Sequence, residues 1–414
     1  MRTVLLADRL VDGTDAPAID DPVVVVDDGT IREVRQGSAA EDLRDEGTTV
    51  LDHRGTTLMP GLIDAHVHLN LPGNGGIFEV LDNSDAYVAV ATANAARTAL
   101  HAGITTVRDV GSRGTTAIDV REALRNGIGD GPRMLVAGPP MTITGGHCWY
   151  FGGEADGVDG VRGQVRHLNK IGADWIKVIG SGGGTPRTQS HRASYSAGEV
   201  AAIADEAHRH GIKVTMHCLC GEAMENAVAG GVDGIEHGWF LVGEGQDQVF
   251  SEALADRIAE AGITITTTLA VGYEIIAAME GRTRLTAQEQ AYLDGWRRTR
   301  DFTLTQFGRL RSHGVKFIGG TDAGWRYTRF DSLPAEAYLM AEGGMTAEQA
   351  IGACTGGSAD LLGIGDQTGR VKPGLAADLI AVGGDPRGDL RGLSDVRMVM
   401  KDGDVRLERP GTGA

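Results

Sequence analysis

Between residues 57 and 368, short β-rich runs alternate with alanine-rich helical stretches, and this alternation limits the possible folds more than any other feature of the chain. Strands joined by helical crossovers run parallel. Eight runs stand out: Leu62 to Leu69, Thr105 to Val110, Met134 to Gly138, Trp175 to Ile179, Val214 to Cys218, Gly234 to His237, Thr264 to Leu269 and Phe317 to Thr321. That number suits a closed (β/α)8 TIM barrel, an α/β fold; an open doubly wound sheet is the competing arrangement. Helices over Ala86 to His101 and Ala197 to His210 are expected to stop at Gly103 and Gly211, where a left-handed cap needs a residue without Cβ.

The flanks read differently. Thr3 to Ala7, Val23 to Val26 and Ile31 to Val34 are β-type runs, and Asp27-Asp28-Gly29 has the chemistry of a hairpin turn. Ala377 to Val382 and Val396 to Met400, followed by Lys401-Asp402-Gly403-Asp404, repeat that style. The expected organisation is a small β-sandwich domain built from residues 1–56 and 369–414 around a catalytic (β/α)8 domain over 57–368. With 39 basic against 56 acidic side chains the net charge is −17, which excludes a duplex nucleic-acid binder and disfavours an anionic membrane surface. The first apolar run ends at Asp8, too early for a signal peptide, and no stretch approaches the roughly 18 apolar residues of a membrane span. Cys148, Cys218, Cys220 and Cys354 form no Cys-x-x-Cys pair, which fits free thiols in a reducing compartment, so a cytoplasmic location is expected.

Within Pro60-Gly-Leu-Ile-Asp-Ala-His66-Val-His68 two histidines lie two residues apart on a β run. Side chains alternate across a strand, so both imidazoles leave the same face and can bind one metal. His208-Arg-His210 has the same spacing but closes a helical stretch, where positions two apart point about 200° around the axis and cannot chelate together. Other ligand-type residues stand at the ends of other β runs: Lys177 in Trp-Ile-Lys-Val-Ile, His217 in Thr-Met-His-Cys, His237 in Ile-Glu-His-Gly and Asp322 in Gly-Thr-Asp-Ala. In a barrel those ends converge on one mouth, the face where its enzymes place chemistry. A lone histidine of this kind is ordinarily a satisfied core side chain. A lysine inside an apolar β run is costly to bury without a purpose.

With this order of motifs the chain resembles the amidohydrolase superfamily of metal-dependent hydrolases. The likeness extends to Gly369-Arg-Val-Lys-Pro-Gly374-Leu-Ala-Ala-Asp378-Leu, which resembles the family's return into its small β domain. It implies that His66, His68 and Asp322 bind one divalent metal, His217 and His237 a second, and that a CO2-derived carbamate on Lys177 bridges the two ions, expected to be Zn2+. A carbamate is an anionic oxygen donor, whereas an ammonium cannot ligate. The implied reaction is cleavage of an amide-type C–N bond by a hydroxide bridging the metals, with Asp322 taking the proton and delivering it to the leaving nitrogen. Ile143-Thr-Gly-Gly-His147 and Val232-Asp-Gly-Ile-Glu236-His237-Gly are similar to the imidazolonepropionase-like and prolidase-like branch and imply a substrate-facing role for His147. Where dipeptidase-like members carry an aromatic residue or histidine just after the fifth-strand ligand, this chain has Cys218-Leu219-Cys220, and the two thiols are expected to be inert.

Substrate contacts are expected from loops beyond the strands. Arg187, Tyr195 and Trp325 are the main candidates, with Arg192, Arg326 and Arg329 as further clamps for a carboxylate. Trp149, Tyr150, Trp239 and Tyr327 offer surfaces for an aryl group. The substrates in view are dipeptides, N-acyl amino acids and related amides. The alternatives are aryl ureas or carbamates, a one-metal cyclic-amide hydrolase or deaminase of the imidazolonepropionase type, and a scaffold without catalysis; that last is disfavoured because no ligand is missing. The expected partners are a small-molecule substrate and further copies of the chain in a homo-oligomer, with neither nucleic acid nor membrane.

Overall fold

The computed structural model describes residues 1–14, 16–37, 47–76, 82–243 and 247–409. The chain opens with β1 (Arg2–Leu10), β2 (Ile19–Asp20), β3 (Pro22–Asp27), β4 (Thr30–Gln36) and β5 (Thr48–Pro60). Asp28 and Gly29, between β3 and β4, have φ of 46° and 83°. Positive φ at both central residues matches the twist of the strands it joins, so the Asp-Gly turn fixes this hairpin.

Parallel strands follow. β6 (Leu62–Val67), β7 (Ile104–Asp109) and β8 (Arg133–Val136) form one sheet. A second contains β9 (Trp175–Ile179), β10 (Lys213–Cys220), β11 (Gly234–Val242), a short antiparallel β12 (Asp247–Gln248), β13 (Thr264–Thr266) and β14 (Lys316–Ile318). Backbone hydrogen bonds join the two sheets at both edges. Met141 N donates to Lys177 O and Ile179 N to Met141 O, each at 2.8 Å; on the other side Ala65 N donates to Gly319 O at 2.9 Å and His68 N to Ala323 O at 2.7 Å. The second junction is tight because Gly320 has no side chain: a Cβ there would lie 2.3 Å from Thr266 Cγ2 and 2.9 Å from His66 Cβ. Every residue of β6, β7 and β9 is buried, as expected for strands covered on both faces.

The helices begin and end where sequence chemistry directs. Ser196 and Glu199 form a capping box on the helix Ala197–Arg209, and Gly103 and Gly211, after their helices, take φ of 87° and 71°. Two strands end well short of expectation: the eighth stops at Ile318 rather than Thr321, and the seventh at Thr266 rather than Leu269. Thr268 has φ of 52° and turns the chain into the helix Leu269–Glu280, which packs on the 26-residue helix Ala287–Ser312.

The last strands, β15 (Leu379–Gly383), β16 (Val396–Lys401) and β17 (Asp404–Glu408), return to the first sheet. Its order is β17-β16-β15-β5-β1-β3-β4, with β2 beside β1, so both ends of the chain build it. The turn at Asp402-Gly403 repeats the φ pattern of the first hairpin, and the two turns touch: a Cβ on Gly403 would sit 2.5 Å from Gly29 Cα. Leu5, Val24, Leu58, Leu379 and Met398 belong to a core of its own beneath this sheet. Among the described residues no helix is long and apolar enough to cross a membrane.

Candidate active site

Period-two alternation along β6 sends His66 and His68 to the same side, with His68 one residue beyond the strand. Each ring is fixed through Nδ1: that of His66 donates to Glu236 Oε2 at 2.7 Å, and that of His68 to the Gly111 carbonyl at 2.9 Å. Both Nε2 atoms therefore carry lone pairs, and both point to Asp322 Oδ1, at 3.4 Å and 3.3 Å. Ligand atoms of the three residues lie within 4.8 Å of one another. Three electron-pair donors held this closely in a buried site repel unless a positive charge lies among them, so the donor set fits a divalent metal.

Beside this cluster the rings of His66 and His237 have centroids 5.1 Å apart, and those of His237 and His217 lie 4.7 Å apart. His237 Nδ1 is engaged with Thr268 Oγ1 at 2.8 Å, and His217 Nε2 faces the Gly182 carbonyl at 3.3 Å, which leaves one nitrogen on each ring unengaged. Lys177, on β9, is 2% exposed, and burial holds its ammonium below the usual lysine range. Among the described residues no carboxylate lies within 4 Å of its Nζ. The dominant reason the His217 imidazole titrates so low is likewise burial, reinforced by neighbouring positive charge.

His66, His68, His147, Lys177, His217, His237 and Asp322 all line one cavity of about 480 Å3. The His147 ring is 5.0 Å from His217 and 5.9 Å edge-on to Trp325; its Nδ1 meets Thr185 Oγ1 at 2.7 Å, and burial pushes its pKa down to about 3. Gly183 makes room for that ring, since a Cβ would fall 2.5 Å from His147 Cδ2. Trp325 lines the cavity as expected. Tyr195 does not: it belongs to the main hydrophobic core, where its hydroxyl donates to Ala155 O at 2.8 Å. Arg187 does not either; it is exposed on a turn with φ of 70°. Cys218 and Cys220 are buried in the main core without forming a disulfide, and burial raises the Cys218 thiol well above its ordinary range.

Five of the nine non-glycine residues with positive φ among the described residues also line this cavity: Cys148, His237, Thr268, Asp322 and Arg326. Such conformations cost about 1–3 kcal/mol each and gather where geometry serves chemistry.

Residues 57–406 match the model of the amidohydrolase family. The chain belongs to that family. It is 28% identical to the ochratoxinase of Aspergillus niger over an alignment of 454 residues that covers 99% of this chain and 88% of the relative. An imidazolonepropionase of Stenotrophomonas maltophilia is 24% identical, with 89% and 87% covered. Among solved structures, a Xaa-Pro dipeptidase with methionine bound in its active site superposes with a TM-score of 0.86 at 29% identity, over 98% of this chain and 99% of that one. The protein is thus a hydrolase of C–N bonds from a metal-dependent family, and its His66, His68 and Asp322 cluster is suited to a metal.

Three parts of this amidohydrolase site escape a reading of the sequence. Glu236 is wholly buried; its Oε1 accepts from Arg108 Nη2 at 2.7 Å and Thr215 Oγ1 at 2.5 Å while Oε2 holds His66. Arg108 is itself 1% exposed and lies 4.5 Å from the Trp175 ring centroid. Asp64 accepts from Thr321 N and Thr321 Oγ1, which anchors the turn that carries Asp322. Each places charge inside an apolar β run, the same signal that singles out Lys177.

Proposed function

We propose that the protein is a binuclear metal-dependent amidohydrolase that cleaves an amide-type C–N bond in a dipeptide, N-acyl amino acid or related small amide. The observation that carries this reading is the convergence of His66, His68, Lys177, His217, His237 and Asp322 on one cavity from distant points of the sequence. The eight parallel strands are read as a closed (β/α)8 barrel, supported by the hydrogen bonds at both sheet junctions, with residues 1–56 and 369–414 as the accompanying β domain. A reducing, cytoplasmic setting accords with four free, buried cysteines.

His66, His68 and Asp322 would hold one ion and His217 and His237 the other, both expected to be zinc. Lys177 would supply a further oxygen donor once its neutral amine has added to CO2 and released a proton, giving the carbamate. When bound, the ions would supply a water that ionises near neutral pH and polarise the scissile carbonyl. Asp322 takes the proton from the attacking water on its carboxylate and passes it to the leaving nitrogen, acting first as base and then as acid. Glu236 keeps His66 in the tautomer that presents Nε2. His147 faces the substrate, and Trp325 forms a wall beside it. Arg187 and Tyr195 have no part in this reading.

The second reading is a one-metal cyclic-amide hydrolase, favoured by one observation: among the described residues only His66, His68 and Asp322 form a closed three-donor cluster. Elemental analysis of enzyme purified with zinc and bicarbonate separates the two. Two ions per chain, falling toward one in Lys177→Met together with loss of amide hydrolysis, is the expected result. One ion in both proteins establishes the second reading.

A further inference from the structure

Of the four arginines that the sequence offers as carboxylate clamps, three do not line the cavity. Arg187 is exposed outside the cavity, Arg192 Nη1 reaches Gln189 Oε1 at 3.2 Å, and Arg329 pairs with Glu274 Oε2 at 3.1 Å and Asp331 Oδ1 at 2.9 Å. Arg326 lines the cavity, with its guanidinium carbon 5.3 Å from the Trp325 ring centroid. The structure adds a residue that no sequence pattern singles out: Arg298, midway along the helix Ala287–Ser312, also lines the cavity. Its neighbours on that helix are neutralised, Arg297 by Glu280 and Asp294 and Arg300 by Asp301. Among the described residues neither Arg298 nor Arg326 has a carboxylate within 4 Å. Asp322, committed to the histidines, is the one carboxylate among the lining residues. In a chain with net charge −17, a mouth with two unneutralised guanidinium groups is not what composition alone would place there.

The same lining is rich in aromatic rings. Trp239 and Trp296 have ring centroids 6.1 Å apart, and Tyr292 and Trp296 lie 6.2 Å apart. Among the described residues the buried Trp239 indole Nε1 has no hydrogen-bond partner. Cavities of this size enclose small organic molecules through apolar walls and a few placed polar groups.

We propose that the cavity takes an N-acyl amino acid bearing an aromatic group, with its free carboxylate held by Arg298 and Arg326 and its ring against Trp239 and Trp296. A guanidinium matches a carboxylate in both shape and charge, and the aromatic rings offer apolar surface to the rest of the molecule. The inference rests on the hydrolase reading and narrows it to anionic, aromatic amides.

The test compares N-benzoyl-L-phenylalanine with its carboxamide, which differs only in lacking the negative charge, on the metal-loaded enzyme. Hydrolysis gives KM, and quenching of tryptophan fluorescence gives equilibrium binding. The acid is expected to bind about tenfold more tightly than the amide, as for loss of one charge-assisted contact at a partly exposed site. That ratio should fall toward one in the double variant Arg298→Met/Arg326→Met and be partly kept in Arg298→Lys. Equal binding of acid and amide by the wild type overturns the proposal, as does full preference in a double variant with an unshifted melting curve. If neither compound is hydrolysed while the acid still binds preferentially, the hydrolytic reading fails and the clamp stands. Hydrolysis of both with equal KM removes the clamp and leaves the hydrolase intact.

Discussion

In the terminal sheet charges at turns and edges pair near the surface: Arg2 Nε reaches Asp27 at 2.8 Å and Lys401 lies against Asp402. In the parallel strands His66, Arg108, Lys177 and Glu236 are each at most 2% exposed. The first arrangement costs little to assemble and contributes little, because solvent screens such pairs. The second removes ionisable groups from water at a cost of several kcal/mol apiece before any pairing. The difference separates two uses of polar residues: one shapes a turn, the other prepares a reaction. A sheet that only supports the fold should tolerate changes in charge, whereas the strands around the cavity should lose chemistry long before they lose structure.

Asp322→Asn breaks the comparison hardest. Turnover should fall by about three orders of magnitude or more, because an amide cannot shuttle the proton, while the melting temperature and much of the bound metal remain; a near wild-type rate in the purified variant removes the shuttle. Glu236→Gln comes next. Weakening the partner of a ligating histidine commonly costs about 10–100-fold in metal affinity, so chelator competition should show weaker zinc binding without unfolding. Gly403→Val tests the other region: strained positive φ and collision with Gly29 should lower stability by about 1–3 kcal/mol, with kcat per folded molecule unchanged.

The smallest expected effect lies at Glu206. Hydrogen bonds from Arg166 and Arg162 hold its carboxyl at about 2, below an ordinary 4.5. A depressed carboxyl stabilises the fold above its unfolded value and loses that contribution as pH falls. Glu206→Gln should therefore flatten the decline in stability between about pH 4.5 and about 2, read from denaturant melts across that window, and change little at neutral pH.

Much of this is legible in the residues alone. The Asp-Gly turns, the run Trp175–Ile179 and the alternation that points His66 and His68 together are local signals, and local chemistry decides them. The seventh strand is not legible to its end. Thr266-Thr267-Thr268 has high β propensity, yet a tertiary contact, the hydrogen bond to His237, sets Thr268 in the left-handed region. Glu236 and Arg108 escape notice because the sequence shows a charge in each β run but not that the fold brings the two together to neutralise one another. Arg187 and Tyr195 mislead for a related reason, since nearness to a ligand in sequence says little about which way a loop side chain points.

The first sheet has a consequence for how the protein is made. β5 pairs with β1 on one side and, over its last five residues from Thr56 to Pro60, with β15 on the other, so that edge stays bare on the ribosome until Leu379–Gly383 has been translated. At translation speeds of about 5–20 residues per second that interval lasts tens of seconds. A nascent chain halted inside it exposes an unpaired edge, the kind of template that recruits other chains. Yield in a heterologous host should then depend on how quickly the chain between Pro60 and Leu379 is delivered.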